Sequence, residues 1–218
     1  LGHVNVWYTG NFTDLGGSSS VGRLYDWITG SNGISGFKHP GREILRFDNF
    51  RYDASMREQM VGLEMFNRGD DYLFDGWGDG QSSPLNACLN AGWRTGLTGV
   101  TDEHGTDWGF PEGKGRTGLW VAENTRGAVL EAMRARRFFA TRVSGLRLDA
   151  TANGVQMGGV LNLTRGDVRF AVDLDRGPDW AGRPLTVQVL RPGTRAPEVV
   201  DVIATAAGRV TTFTVPLN

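Results

Sequence analysis

The side chains of this sequence best suited to chemistry meet in one short stretch. There Thr101-Asp102-Glu103-His104-Gly105 follows the β-capable run Leu97-Thr98-Gly99-Val100. Residues i and i+2 of a strand point the same way, so an Asp-x-His at a strand's end can aim an oxygen and a nitrogen at one place. A mixed nitrogen and oxygen donor set suits zinc, manganese or iron, whereas calcium takes oxygens alone. Read without company, the stretch is more simply an ordinary turn in which Asp102 caps and His104 is solvated. The chain has three histidines, and the other two are His3, in Gly2-His3-Val4-Asn5, and His39, in His39-Pro40-Gly41-Arg42. Each adjoins a short apolar run and a Gly or Pro, the punctuation between elements. Histidines scattered over a surface would not share that setting.

Taken in order, Gly-His-x-Asn, His-Pro-Gly-Arg and Thr-Asp-x-His-Gly resemble the later motifs of the PHP (polymerase and histidinol phosphatase) superfamily of metallohydrolases. Arg116-Thr117-Gly118-Leu119-Trp120 and Leu130-Glu131-Ala132-Met133-Arg134-Ala135-Arg136-Arg137 resemble in particular its CehA/McbA-type branch. The resemblance implies that His3, His39, Asp102 and His104 are ligands of a divalent zinc, manganese or iron ion, with more than one ion in the complete protein. It also implies hydrolysis of a small phosphoester, or of a carbamate or other ester. Three imidazoles and a carboxylate agree with this physically: they can hold such an ion and leave a position open for water. The ion brings that water's pKa toward neutrality and polarises the group under attack. Asp102 and His104 are thus the expected catalytic pair, with Asp102 orienting the water or accepting its proton. Arg42 and Arg116 offer planar forks of donors for an anionic substrate group, or pair with local aspartates. Glu64, near the end of its strand, reads as a carboxylate supporting the ligands, as a general base, or as a surface residue. Asn67 is a weaker substrate-binding candidate of the same kind. Trp77, Trp93 and Trp108 are candidates for lining a pocket, with core packing the simpler account of Trp93.

At 218 residues the chain can bury a substantial core. A net charge of −1 gives no electrostatic case for nucleic acid or an anionic membrane as a partner. A single cysteine, Cys88, excludes an internal disulfide and leaves the compartment, cytoplasmic or secreted, undecided. Its position beside Leu85 and Leu89 makes it a small core residue. No signal peptide and no membrane-length apolar run is visible.

Strands are expected over 1–7, 34–38, 61–66, 97–100 and 119–122. Helices are expected after Ser18–Ser20 with a stop at Gly30, weakly over 53–59, from Ser83 with Pro84 at its first position, and from Asn124 or Thr125 to Arg137. Residues 68–81, with Asp70, Asp71, Asp75 and Asp79, read as a solvated lid; the EF-hand order of ligands is missing. Residues 106–118 read as a loop. The alternation of strand and helix predicts a parallel sheet with ligands at its carboxyl ends. Combined with the resemblance, it predicts the C-terminal part of a distorted (β/α)7 PHP-type barrel over residues 1–143. Period-two runs at 146–150, 168–174, 185–190 and 211–215 predict a small antiparallel, sandwich-like β-module over 144–218.

The resemblance also implies ligands upstream of Gly2-His3, so the chain is expected to be the C-terminal portion of a longer polypeptide. The barrel edge would then be covered by an N-terminal fragment of that polypeptide or by a dimer partner. Two other readings stay open. One is a non-catalytic remnant serving as a scaffold or binding module. The other, carbohydrate binding by the β-module, has only Trp180 to offer there.

Overall fold

Ser20 opens the first helix: its hydroxyl accepts the Arg23 N–H, and α1 (Val21–Ser31) buries Val21, Tyr25 and Ile28 on one face. The helix runs through Gly30 and stops at Asn32, which takes a left-handed φ of 58°. Asn tolerates that conformation as Gly does, which is why the stop falls two residues later than expected. The computed structural model describes residues 1–13, 20–43, 45–73, 82–106, 114–204 and 209–217. Asp75, Trp77, Asp79 and Trp108 lie outside the described residues, and with them the pocket-lining assignment of two tryptophans and most of the expected lid.

Five strands make the sheet that carries the site: β1 (His3–Trp7), β2 (Ile34–Lys38), β3 (Met60–Asn67), β4 (Asp70–Asp71) and β5 (Gly96–Val100). β2, β3 and β5 are parallel. β1 runs antiparallel to β2 with His3 opposite Lys38, and β4 turns back on the end of β3 with Asn67 opposite Asp70. The start of β1 and the ends of β2, β3 and β5 therefore share one rim. One face of the sheet is packed by α1, by the turn α2 (Arg46–Phe50), and by α3 (Pro84–Asn90), which Ser83 caps. Phe37 is its aromatic centre, with Phe47, Phe50 and Trp93 at centroid distances of 4.7, 5.2 and 5.7 Å. The weak helix expected over 53–59 is a single 3-10 turn, Ala54–Met56, capped by Asp53. The other face meets β6 (Arg116–Leu119), α4 (Arg126–Arg134) and β7 (Phe138–Thr141).

The remaining strands are β8 (Arg147–Ala152), β9 (Val155–Gln156), β10 (Gly166–Asp175), β11 (Thr186–Arg191), β12 (Glu198–Ala204) and β13 (Val210–Leu217), with the one-turn helix α5 (Gly177–Trp180) after β10. They form a four-stranded antiparallel sheet in the order β13-β10-β8-β9 and a separate β11–β12 ladder. Hydrogen bonds tie this part to the earlier one: Ser83 N–H to Arg195 O and Asn90 Nδ2 to Gly193 O, both 2.7 Å, and Trp120 Nε1 to Leu148 O, 2.8 Å.

This architecture overturns the expected (β/α)7 barrel followed by a β-module. The described residues are 38% strand and 20% helix, distributed over several sheets. The reason lies in the connections. A strand-helix-strand spacing gives a parallel pair only when the helix carries the chain across the sheet. Here β1 and β2, joined through α1, pair antiparallel, and so do β6 and β7, joined through α4. Among the described residues, the stretch between β2 and β3 holds only short turns. Two boundaries also move. β6 occupies Arg116–Leu119, taking the end of the loop expected over 106–118 and only the first residue of the strand expected over 119–122, and α4 ends at Arg134, ahead of the positive φ of Arg136. Among the described residues no helix is long and apolar enough to cross a membrane.

Candidate metal centre

Three residues that follow the parallel strands have positive φ without being glycine: His39 (28°), Arg68 (52°) and Asp102 (49°). Such conformations cost of order 1 kcal/mol or more each and persist where surrounding contacts enforce them. All three stand on the shared rim.

His3 and His39 come together there across the β1–β2 pair, their rings 4.9 Å apart and edge-on. Between them sits Glu43. Its Oε1 is 2.7 Å from His3 Nδ1 and 3.0 Å from His39 Nδ1, and it also accepts the His3 backbone N–H. Glu43 arrives by a tight turn through Pro40-Gly41, in which Arg42 N–H returns to His39 O at 2.9 Å. The two imidazoles and the carboxylate each offer a donor atom within 4.8 Å of the others, the spacing around a single cation. His39 Nδ1 is buried without hydrogen-bond geometry to any group. Burial lowers the His39 pKa against the opposing pull of Glu43, which favours the neutral imidazole that binds metals. A neutral imidazole pair with a carboxylate fits zinc, manganese or iron better than calcium or magnesium.

The two remaining expected ligands are engaged elsewhere. The Asp102 side chain is 6% exposed, with Lys38 Nζ at 3.0 Å and Arg42 Nη1 and Arg68 Nε each at 3.5 Å. Burial works to raise its pKa, but the Lys38 hydrogen bond and the charges of Lys38, Arg68 and His104 hold it below the usual carboxylate range. His104 is exposed, and its Nδ1 lies 2.8 Å from Arg68 Nη2 and 3.0 Å from its own turn's Asp102 O. Of the expected quartet, His3 and His39 converge among the described residues, joined by Glu43, while Asp102 and His104 are held by Lys38, Arg42 and Arg68.

Arg42 pairs with Asp70 at 2.6 Å as well as with Asp102. Arg116 begins β6, with its backbone against Gly99. Asn67 is fully buried, so it cannot meet substrate as expected; its amide Nδ2 instead donates to Glu64 Oε2 at 2.9 Å. Glu64 is 3% exposed and also accepts the His39 backbone N–H at 2.7 Å, which excludes the surface reading. Burial raises its pKa, against hydrogen bonds from His39 and Asn67 that lower it. It borders a partly open, mostly apolar pocket of about 170 Å³ shared with Asn5, Trp7, Thr98, Met133 and Phe138. Trp93 belongs to the core, its indole N–H on Phe50 O at 2.8 Å. Cys88 is fully buried, and burial pushes its thiol up to about 12.

Sequence reasoning missed Glu43, Lys38 and Arg68. Glu43 had a readable signal: a carboxylate four residues past His39, beyond a Pro-Gly turn that returns the chain. Lys38 and Arg68 had none beyond adjoining a strand end. Comparison of the chain with protein-family models, curated proteins and solved structures found no match to any of them.

Proposed function

We propose that the chain is a metal-dependent hydrolase of small phosphoester, carbamate or other ester substrates, related in its motifs to the PHP metallohydrolases, whose ion is held by His3, His39 and Glu43. The observation that carries this reading is the convergence of three donor atoms within 4.8 Å, one of them a buried imidazole nitrogen without a hydrogen bond. An ion bound there supplies Lewis acidity and lowers the pKa of water. The chain's own residues supply the setting. His3, which is 73% exposed, leaves the centre open to solvent on one side. Lys38, Arg42 and Arg68, each partly exposed, offset Asp70, Asp102 and Glu43, so that a bound divalent ion would leave the rim positive and favour a substrate with negative or developing negative charge. Asp102, held ionised by those cations, orients polar groups at the rim.

Metal analysis of protein purified without chelator tests the reading. Zinc, manganese or iron near one equivalent is expected in the native chain, falling at least tenfold in His39→Ala and in Glu43→Ala. A metal-free chain that takes up none of these ions on titration would overturn it. That outcome would favour the second reading, a non-catalytic scaffold, for which the engagement of Asp102 and His104 by Arg68 is the specific observation.

A further inference from the structure

The ladder between β2 and β3 ends at Phe37 opposite Leu63, two residues before His39. His39 must then hold a φ of 28° with no strand neighbour to fix it, and it precedes a proline, which disfavours all but extended backbone at that position. What takes the place of the missing ladder partner is a side chain. Glu64 Oε2 accepts the His39 backbone N–H at 2.7 Å, from 25 residues along the chain.

The carboxylate is itself held. Asn67 Nδ2 donates to the same oxygen at 2.9 Å, and Asn5 Nδ2 reaches Oε1 at 3.4 Å. Residues three apart in a regular strand point to opposite faces. The β3–β5 register shifts between Glu64 and Phe66, and this bulge puts Asn67 on the same side as Glu64. Three N–H donors, from three different strands or strand ends, thus converge on one buried carboxylate. Its 3% exposure leaves little room for it to exchange protons with water at the open face of the centre.

We infer that Glu64 is a positioning residue that fixes the His39 ligand through its backbone, and not the general base. The inference rests on the metal-centre reading above for its consequence, though not for its geometry. A carboxyl oxygen and an amide oxygen serve equally as acceptors, and Asn5 can turn its own amide oxygen toward the new NH2 group. A general base has no such substitute. The two roles therefore separate in a pair of variants.

Zinc titration of the full chain is the test, with Glu64→Gln and Glu64→Ala compared against the native protein. Removing the acceptor is expected to weaken zinc binding about 10-fold to 100-fold in Glu64→Ala, the usual consequence of losing a group that orients a ligand. Glu64→Gln is expected to stay within about threefold of the native affinity, far short of that loss. Equal affinity in all three proteins, or equal loss in both variants, would overturn the inference. Amide hydrogen exchange at His39 supplies a second readout that needs no metal: slow in the native chain and in Glu64→Gln, fast in Glu64→Ala. If the native chain binds neither zinc, manganese nor iron, the metal-centre reading fails while this exchange pattern still decides the role of Glu64. Should Glu64→Ala fail to fold, Glu64→Asp, one methylene short of the His39 N–H, carries the same comparison.

Discussion

At the scale of single residues, the chain separates groups that can react from groups that cannot, and it does so by burial. Cys88 shows the second kind. Its thiol is enclosed by the core under α3, and burial pushes its pKa up to about 12. At pH 8 the native thiolate is therefore far scarcer than in an open thiol of pKa near 8.5, and alkylation by iodoacetamide is expected to be at least 100-fold slower than in the urea-unfolded chain. Comparable rates in the two states would show that the core opens freely. The sign for stability follows from the same shift. A raised thiol pKa contributes stability below about pH 8.5, and this is lost as the pH rises toward the folded value. His3, with its side chain 73% exposed, shows the first kind; it and the less exposed His39 stood out in the sequence because histidine is rare in this chain and stands beside Gly or Pro. The carboxylate that joins them did not, since sequence spacing does not reveal which way a Pro-Gly turn sends the next side chain.

At the scale of elements, hydrophobic period and cap chemistry placed most strands and helices near where they lie. Ser20, Ser83 and Thr125 each accept a backbone N–H at a helix start, as those residue types do in general. What the pattern could not convey was pairing. No strand is expected from the sequence over Phe138–Thr141, yet this run forms an antiparallel ladder with β6 that packs beside β5. That contact depends on glycine. A Cβ on Gly99 would lie 2.5 Å from Arg116 O and 2.8 Å from Arg116 N, backbone atoms that cannot step aside alone. Thr117 seals the same junction, its hydroxyl accepting Gly99 N–H at 3.0 Å and donating to Gly99 O at 2.9 Å. Gly99→Ala is expected to cost about 3 kcal/mol, the upper range for forcing extra volume into packed structure, and a urea midpoint unchanged within error would refute this packing account.

At the scale of the whole molecule, the sheet of five strands has β1 as an edge, hydrogen-bonded within the described residues to β2 alone. Unpaired edge groups invite another strand. A second copy of the chain is expected to pair there. Sedimentation equilibrium at micromolar concentration is expected to show self-association, and a stable monomer with no second polypeptide would count against it. The barrel reading failed at this scale because it took local order for global closure. His3 and His39, which motif order groups, do lie with their rings 4.9 Å apart, since adjacent strands bring their ends together whether or not a barrel closes around them. The positive φ values of His39, Arg68 and Asp102 carry one more consequence. A population evolved in the laboratory for heat resistance alone would gain by exchanging the exposed Arg68 for glycine while keeping Asp102, which three cations hold, because relief from a disfavoured conformation is among the easiest improvements open to a marginally stable fold. Such survivors would outlast their parent on warming while losing one positive charge beside the paired imidazoles.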